Sequence, residues 1–270
     1  MNVEAYTGYI PNIDVTKTEL KLYLNPRGKT NSAQDKNLWK SSNINESKRP
    51  VAKLNNKFYY GTVNGWMVDD DDNFYLKLNQ QAGLRIEDFN PFRPDPAGDK
   101  GRGLTIELDF IINGILDYEK PLISFVSKVS AFNDNIAVGF EVIGNEIKFY
   151  NSRLNGANNV GSLMSLTLVE GKRIRVSYVI ESNDHNKDDD FPMCLGYLDG
   201  KISGAVIYDK NDKFASGGIE PTFIIDSTYA DISIYGVRIY DRALTHMEVR
   251  DNYIASLSTI EEKEMLYKSN

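Results

Sequence analysis

The side chains best placed for chemistry in this 270-residue chain are two carboxylates, Glu107 and Asp109, in the run LTIELDFII. Residues two apart on a strand share a face and lie about 6.6–6.8 Å apart along it. Retaining glycosidases hold their paired carboxyl groups about 5–5.5 Å apart, a gap that side-chain rotamers can close here. The competing reading places both acids on the solvent face of an amphipathic strand. Leu104, Ile106, Leu108 and Phe110 alternate with them, and that alternation favours the solvent-face reading.

Other candidate constellations are thinner. The acidic runs Asp69–Asp72 and Asp188–Asp190 carry oxygen ligands suited to calcium. A calcium site needs about six to eight converging oxygens, and neither run has the spacing or central glycine of an EF-hand loop. Both read as solvated turns, and the 184–190 loop is the better candidate for an ion. The two histidines, His185 and His246, read as surface residues, since no nucleophile sits in an elbow motif beside them. Cys194, the single cysteine, lies in the apolar run MCLGYL and reads as a small buried hydrophobe. Trp66, just ahead of a strand, reads as core packing. Trp39, in a polar loop, suits either the core or stacking on a sugar ring. No phosphate-binding glycine motif or HExxH occurs, so nucleotide and zinc-protease chemistry lack support. The sequence therefore assigns no catalytic residues, no metal ligands and no binding residues, and calcium is the one cofactor considered.

Composition narrows the partners. A net charge of -7 with dispersed Lys and Arg argues against nucleic acid, which needs clustered positive charge. No apolar run approaches the roughly 20 residues that span a bilayer, so membrane insertion is not expected. The first residues, MNVEAYTGYIPNID, lack the basic and apolar regions of a signal peptide.

The elements that must position these residues are short alternating strands. RIRVSYVIE sets Ile174, Val176, Tyr178 and Ile180 against Arg173, Arg175 and Ser177, and FYLKLN repeats the period with Phe74, Leu76 and Leu78. Gly144-Asn145 and Asp199-Gly200 predict two tight hairpins. Strands with one apolar face each need a facing sheet, so the expected fold is an all-β, two-sheet antiparallel sandwich. Near the end, Thr245 and Glu248 predict a capping box, with Leu244 and Val249 in the staple positions. Ser258 and Glu261 predict a second short helix. The expected organisation is an N-terminal arm with a leading strand and polar loop (1–50), a sandwich (51–242) and a helical connector (243–270). The connector reads as leading to a further domain.

Four segments resemble the concanavalin A-like lectin/glucanase superfamily in its laminin-G-like branch: NGWMVDDDDNFYLKLNQQAGLRI, GRGLTIELDFII, the stretch Arg173 to Tyr208 with YLDGKISG, and ISIYGVRIYDRALTHMEVRDNYIA. The resemblance implies a jelly-roll sandwich with short C-terminal helices. With LYLNPRGKTNSAQDKNLW and the tail DNYIASLSTIEEKEMLYKSN, it is similar to modules of bacteriophage tail or baseplate proteins. That similarity implies a non-catalytic structural or interaction module near the host-facing end of a tail, on the virion or a cell surface. Its partners would be other domains of the assembly, and the alternative is lectin-like binding of bacterial wall or surface glycan. Glucanases of the superfamily carry an E-x-D-x-(x)-E strand motif. Glu107 and Asp109 match its first two acids, but Phe110, Ile111 and Ile112 stand where the third would fall. Without that acid the leaving group is not protonated, so hydrolysis is not expected.

Overall fold

The computed structural model describes residues 15–42, 50–60, 63–79, 81–87, 89, 103–128, 136–151, 162–165, 169–181, 193–207 and 222–257. The described strands follow in chain order. They are β1 (Leu20–Leu24), β2 (Leu38–Lys40), β3 (Val51–Leu54), β4 (Gly65–Val68), β5 (Phe74–Leu78), β6 (Gly83–Glu87), β7 (Leu104–Ile115) and β8 (Pro121–Lys128). Then come β9 (Ile136–Ile143), β10 (Glu146–Asn151), β11 (Ser162–Ser165), β12 (Arg173–Ile180), β13 (Met193–Leu198), β14 (Lys201–Ile207), β15 (Thr222–Asp226) and β16 (Ala230–Tyr240). One described helix, α1 (His246–Ala255), follows.

These strands form the two antiparallel sheets of an all-β sandwich. The first runs β14-β13-β12-β7-β16-β5-β4, and the second runs β11-β10-β9-β8-β15-β6-β3-β2. The first half of β16 pairs with β5 through Ile232–Ile234, and the second half pairs with β1 through Val237–Tyr240. Residues 15–42, expected as part of an arm, thus supply β1 to one sheet and β2 to the other. The expected second helix after Ser258 lies outside the described residues.

Alternation explains the core. Leu104, Ile106, Leu108, Phe110 and Ile112 of β7 face inward with Ile174, Val176, Tyr178 and Ile180 of β12, all buried. Opposite them the second sheet contributes an aromatic chain. The Phe125 ring meets Phe140 at 5.8 Å and Phe223 at 5.7 Å edge-on, and Phe149 meets Tyr178 across the sheets at 4.6 Å. Such pairs add about 0.5–1.5 kcal/mol each beyond the area they bury. Both predicted hairpins form. Asp199 and Gly200 take φ of 50° and 74°, the left-handed pair that a type I′ turn needs. A bulge falls between Ile234 and Gly236, as a glycine inside a strand pattern invites, and β16 keeps pairing with β7 on both sides of it.

Gly139 carries the strictest backbone requirement in the second sheet. It sits in β9 at φ 135°, and a Cβ there would run into the Phe125 carbonyl oxygen and the Val126 backbone. Gly139→Ala is expected to destabilise the fold by about 2–4 kcal/mol, read as a fall in the urea midpoint. An unchanged midpoint would mean that β8 and β9 part more readily than this geometry allows.

Candidate functional site

Strand register brings the two carboxylates into a polar ladder on the outer face of the first sheet. Ser177 of β12 and Arg238 of β16 stand directly opposite Glu107, while Arg175 and Gly236 flank Asp109. The Ser177 hydroxyl donates to Glu107 Oε1 at 3.0 Å, and Arg238 Nε donates to Oε2 at 2.7 Å. Arg173 reaches diagonally and grips Asp109 with both arms of its guanidinium, at 2.8 and 2.6 Å. Arg175 Nε lies 3.5 Å from Asp109 Oδ2, an ion-pair distance without a hydrogen bond. Burial alone would lower the Arg238 pKa, but the adjacent Glu107 carboxylate outweighs it and holds the guanidinium above its usual range. Arg175 has the weaker ion pair, and burial pulls its pKa down.

The solvent-face expectation for Glu107 and Asp109 is therefore corrected, because they are only 2% and 4% exposed. The cover is α1, which lies across this face. Its cap forms as predicted: Glu248 N–H donates to Thr245 Oγ1, and Thr245 N–H donates to the Glu248 carboxylate. Leu244 and Val249 pack with Leu20, Val179, Tyr197 and Tyr240 in a small apolar cluster outside the main core. Asn252, fully buried, donates to Glu107 Oε2 at 2.9 Å and to the Tyr240 hydroxyl at 3.0 Å, and accepts from Thr16 N–H at 2.8 Å. Burial, reinforced by Glu107, raises the Tyr240 pKa.

A general acid must reach the leaving-group oxygen of a substrate. Here the Glu107 and Asp109 oxygens instead accept from Ser177, Asn252 and the arginines. The pair sits mid-sheet, since β7 lies between β12 and β16. The pair builds structure.

The remaining sequence candidates separate cleanly. Trp39 and Trp66 are both buried and meet edge-on at 5.2 Å, so Trp39 belongs to the core and offers no platform to a sugar. Its indole N–H donates to the Asn25 carbonyl, and that of Trp66 to the Lys36 carbonyl. Asp69 closes the β4–β5 turn by accepting from Asp71 and Asn73 N–H, leaving Asp70, Asp71 and Asp72 exposed. Among the described residues no acidic, histidine or cysteine group of three is placed to hold a metal. His246 is exposed, with its ring stacked on Tyr197 at 5.8 Å, and Cys194 is buried. His185 and the 184–190 loop lie outside the described residues.

Sequence reading passed over one end of the sandwich. There the Ser227 hydroxyl sits between the Leu122 and Ala230 carbonyl oxygens, tying the two sheets together. Loops open beside it: Asn55 N–H bonds the Gly83 carbonyl at 3.0 Å, and Leu116 N–H bonds the Tyr229 carbonyl at 2.9 Å. These loops display Tyr59 and Tyr118, 64% and 55% exposed, together with Leu116. The tyrosines were countable in the sequence. Their shared location depends on strand pairing that no local pattern encodes.

No family model matches the chain, and no curated protein is significantly similar to it in sequence. Solved structures do share its fold. The chain is similar to the binding domain of botulinum neurotoxin DC in complex with SialylT, with TM-score 0.56, 10% identity, and 90% of this chain against 52% of that one covered. The same domain in complex with rat synaptotagmin II gives TM-score 0.57, 9% identity, and 89% against 52%. The serotype D ligand binding domain in complex with N-acetylneuraminic acid gives TM-score 0.57, 10% identity, and 88% against 51%. The chain spans about half the length of these structures, and identity this low shows a shared β-sandwich fold alone.

Two outcomes follow for the ladder and its cover. Asp109→Asn removes the charge that half-buried Arg173 grips and buried Arg175 faces, and is expected to cost about 3 kcal/mol in chemical denaturation. A loss below about 1 kcal/mol would show that the guanidiniums find water instead. Glu248 is held down to about 2 by its hydrogen bonds from Arg242, despite partial burial. Because its folded pKa is depressed, its contribution is complete above the unfolded value near 4.5 and fades as pH falls towards 2. Glu248→Gln should therefore lower the melting temperature at neutral pH and flatten its decline between about pH 4.5 and 2. An unchanged acid slope would contradict the assignment.

Proposed function

We propose that this chain is a non-catalytic binding module of a larger assembly, which meets its partner through the sandwich end carrying Tyr59 and Tyr118. One observation carries the reading. The carboxylate pair best placed for acid–base work is closed into ion pairs beneath α1. Function then falls to the surface, as fold alone never assigns it. The solved structures of similar fold are themselves binding domains, seen with a sialylated ligand or with synaptotagmin, and they support a glycan or a protein as partner. The laminin-G-like resemblance supplies the finer setting: a virion component near the host-facing end of a phage tail.

A lectin-like role is the second reading, favoured by the exposed Tyr59 and Tyr118 rings, whose faces suit the C–H face of a pyranose. A glycan array of bacterial wall and surface polysaccharides, run with and without calcium, separates the two. Under the lectin reading, signals appear and fall at least tenfold in Tyr59→Ala or Tyr118→Ala. Silence across the array leaves the assembly reading and removes the lectin. Reducing-sugar release that disappears in Glu107→Gln would overturn both.

A further inference from the structure

We propose that α1 and the segment around Thr16 form one strap that lifts from the sandwich as a unit while both sheets stay folded. The carboxylates beneath the helix do not depend on it. Without α1, Glu107 keeps Ser177 and Arg238, and Asp109 keeps Arg173, all of them strand residues. The ladder therefore survives opening with its charges paired, whereas a network completed only by the helix would unravel with it.

The strap is also largely self-contained. Its N-terminus is closed by the Thr245–Glu248 box, Arg242 pairs with Glu248, and Ser256 N–H bonds the Asn252 carbonyl at 3.2 Å. Only three helix residues, Val249, Asn252 and Ile254, are buried. One buried amide joins helix, sheet and N-terminal segment. Asn252 joins the sheet through Glu107 and Tyr240 and joins the N-terminal segment through Thr16, while Tyr240 donates back to the Thr16 carbonyl at 3.2 Å. Arg175 fastens the far end, donating from Nη2 to the Ser256 carbonyl at 3.0 Å with its guanidinium over the Tyr253 ring. At the near end Leu244 N–H donates to Thr105 Oγ1 at 3.0 Å and His246 stacks on Tyr197. Helix and N-terminal segment share the Asn252 clasp, which couples their release. Release uncovers Tyr240, Val179, Tyr197 and Leu20, the apolar cluster that α1 now shields. Opening of this kind, below the free energy of global unfolding, is how weakly attached elements of folded proteins exchange with their open forms.

Hydrogen exchange of the intact chain, followed by mass spectrometry on separate peptides, tests this. In the unmodified protein, peptides covering α1 and residues 15–18 should exchange together and at least tenfold faster than those from β7, β12 and β16. Asn252→Ala should speed the strap peptides a further tenfold or more and leave the strand peptides unchanged. Asn252→Asp, which sets a second carboxylate against Glu107, should do the same at neutral pH. A single common rate for strap and strands in the unmodified protein would overturn the proposal. So would acceleration of the strands in step with the strap in either variant.

Discussion

Glu107 and Arg238 meet at 2.7 Å on the outer face of the first sheet, both almost wholly withdrawn from water. Taking such charges out of water costs several kcal/mol per ion, and pairing recovers that cost only when every remaining donor and acceptor is met. The strands supply the main partners, Ser177 of β12 for Glu107 and the Arg173 fork for neighbouring Asp109, and Asn252 of α1 adds a further bond to Glu107. The ladder is better understood as a device for specificity than as a source of net stability. A one-residue slip of β7 against β12 or β16 would turn Glu107 and Asp109 into the apolar core. That penalty singles out one register across the three central strands.

The same ladder divides the labour of the molecule. One face of the first sheet closes with the second sheet around the phenylalanine core, and the centre of the other is taken up by ion pairs and by α1. A surface given over to holding a helix is poorly suited to catalysis. The sandwich end is different. Its loops are anchored by backbone bonds to strand ends, so their exposed aromatic rings stand on a fixed frame, as recognition loops on a rigid scaffold do.

Local patterns revealed much of this. The period-two alternation, both tight hairpins, the bulge at Gly236 and the Thr245 cap were all readable, because each depends on residues a few positions apart. The fate of Glu107 was not, since its partners Ser177, Arg238 and Asn252 lie 70, 131 and 145 residues away. A faint signal existed. Arg173, Arg175 and Arg238 occupy the non-core phase of their strands just as Glu107 and Asp109 occupy theirs, and opposite charges on matched phases invite pairing. Trp39 stayed open between core and surface for a related reason. Its neighbours are polar, but pairing of β2 with β3 turns the ring inward against Trp66.

The central question is whether the buried carboxylates are structural partners of the arginines beside them. A double-mutant cycle between Glu107→Gln and Arg238→Met, read by denaturant unfolding, measures this without assuming any ligand. If they are, each single change is strongly destabilising and the double mutant recovers much of the loss, with a coupling of about 2 kcal/mol or more. Additive losses, with coupling near zero, would contradict that partnership and return Glu107 to the list of groups awaiting a chemical role.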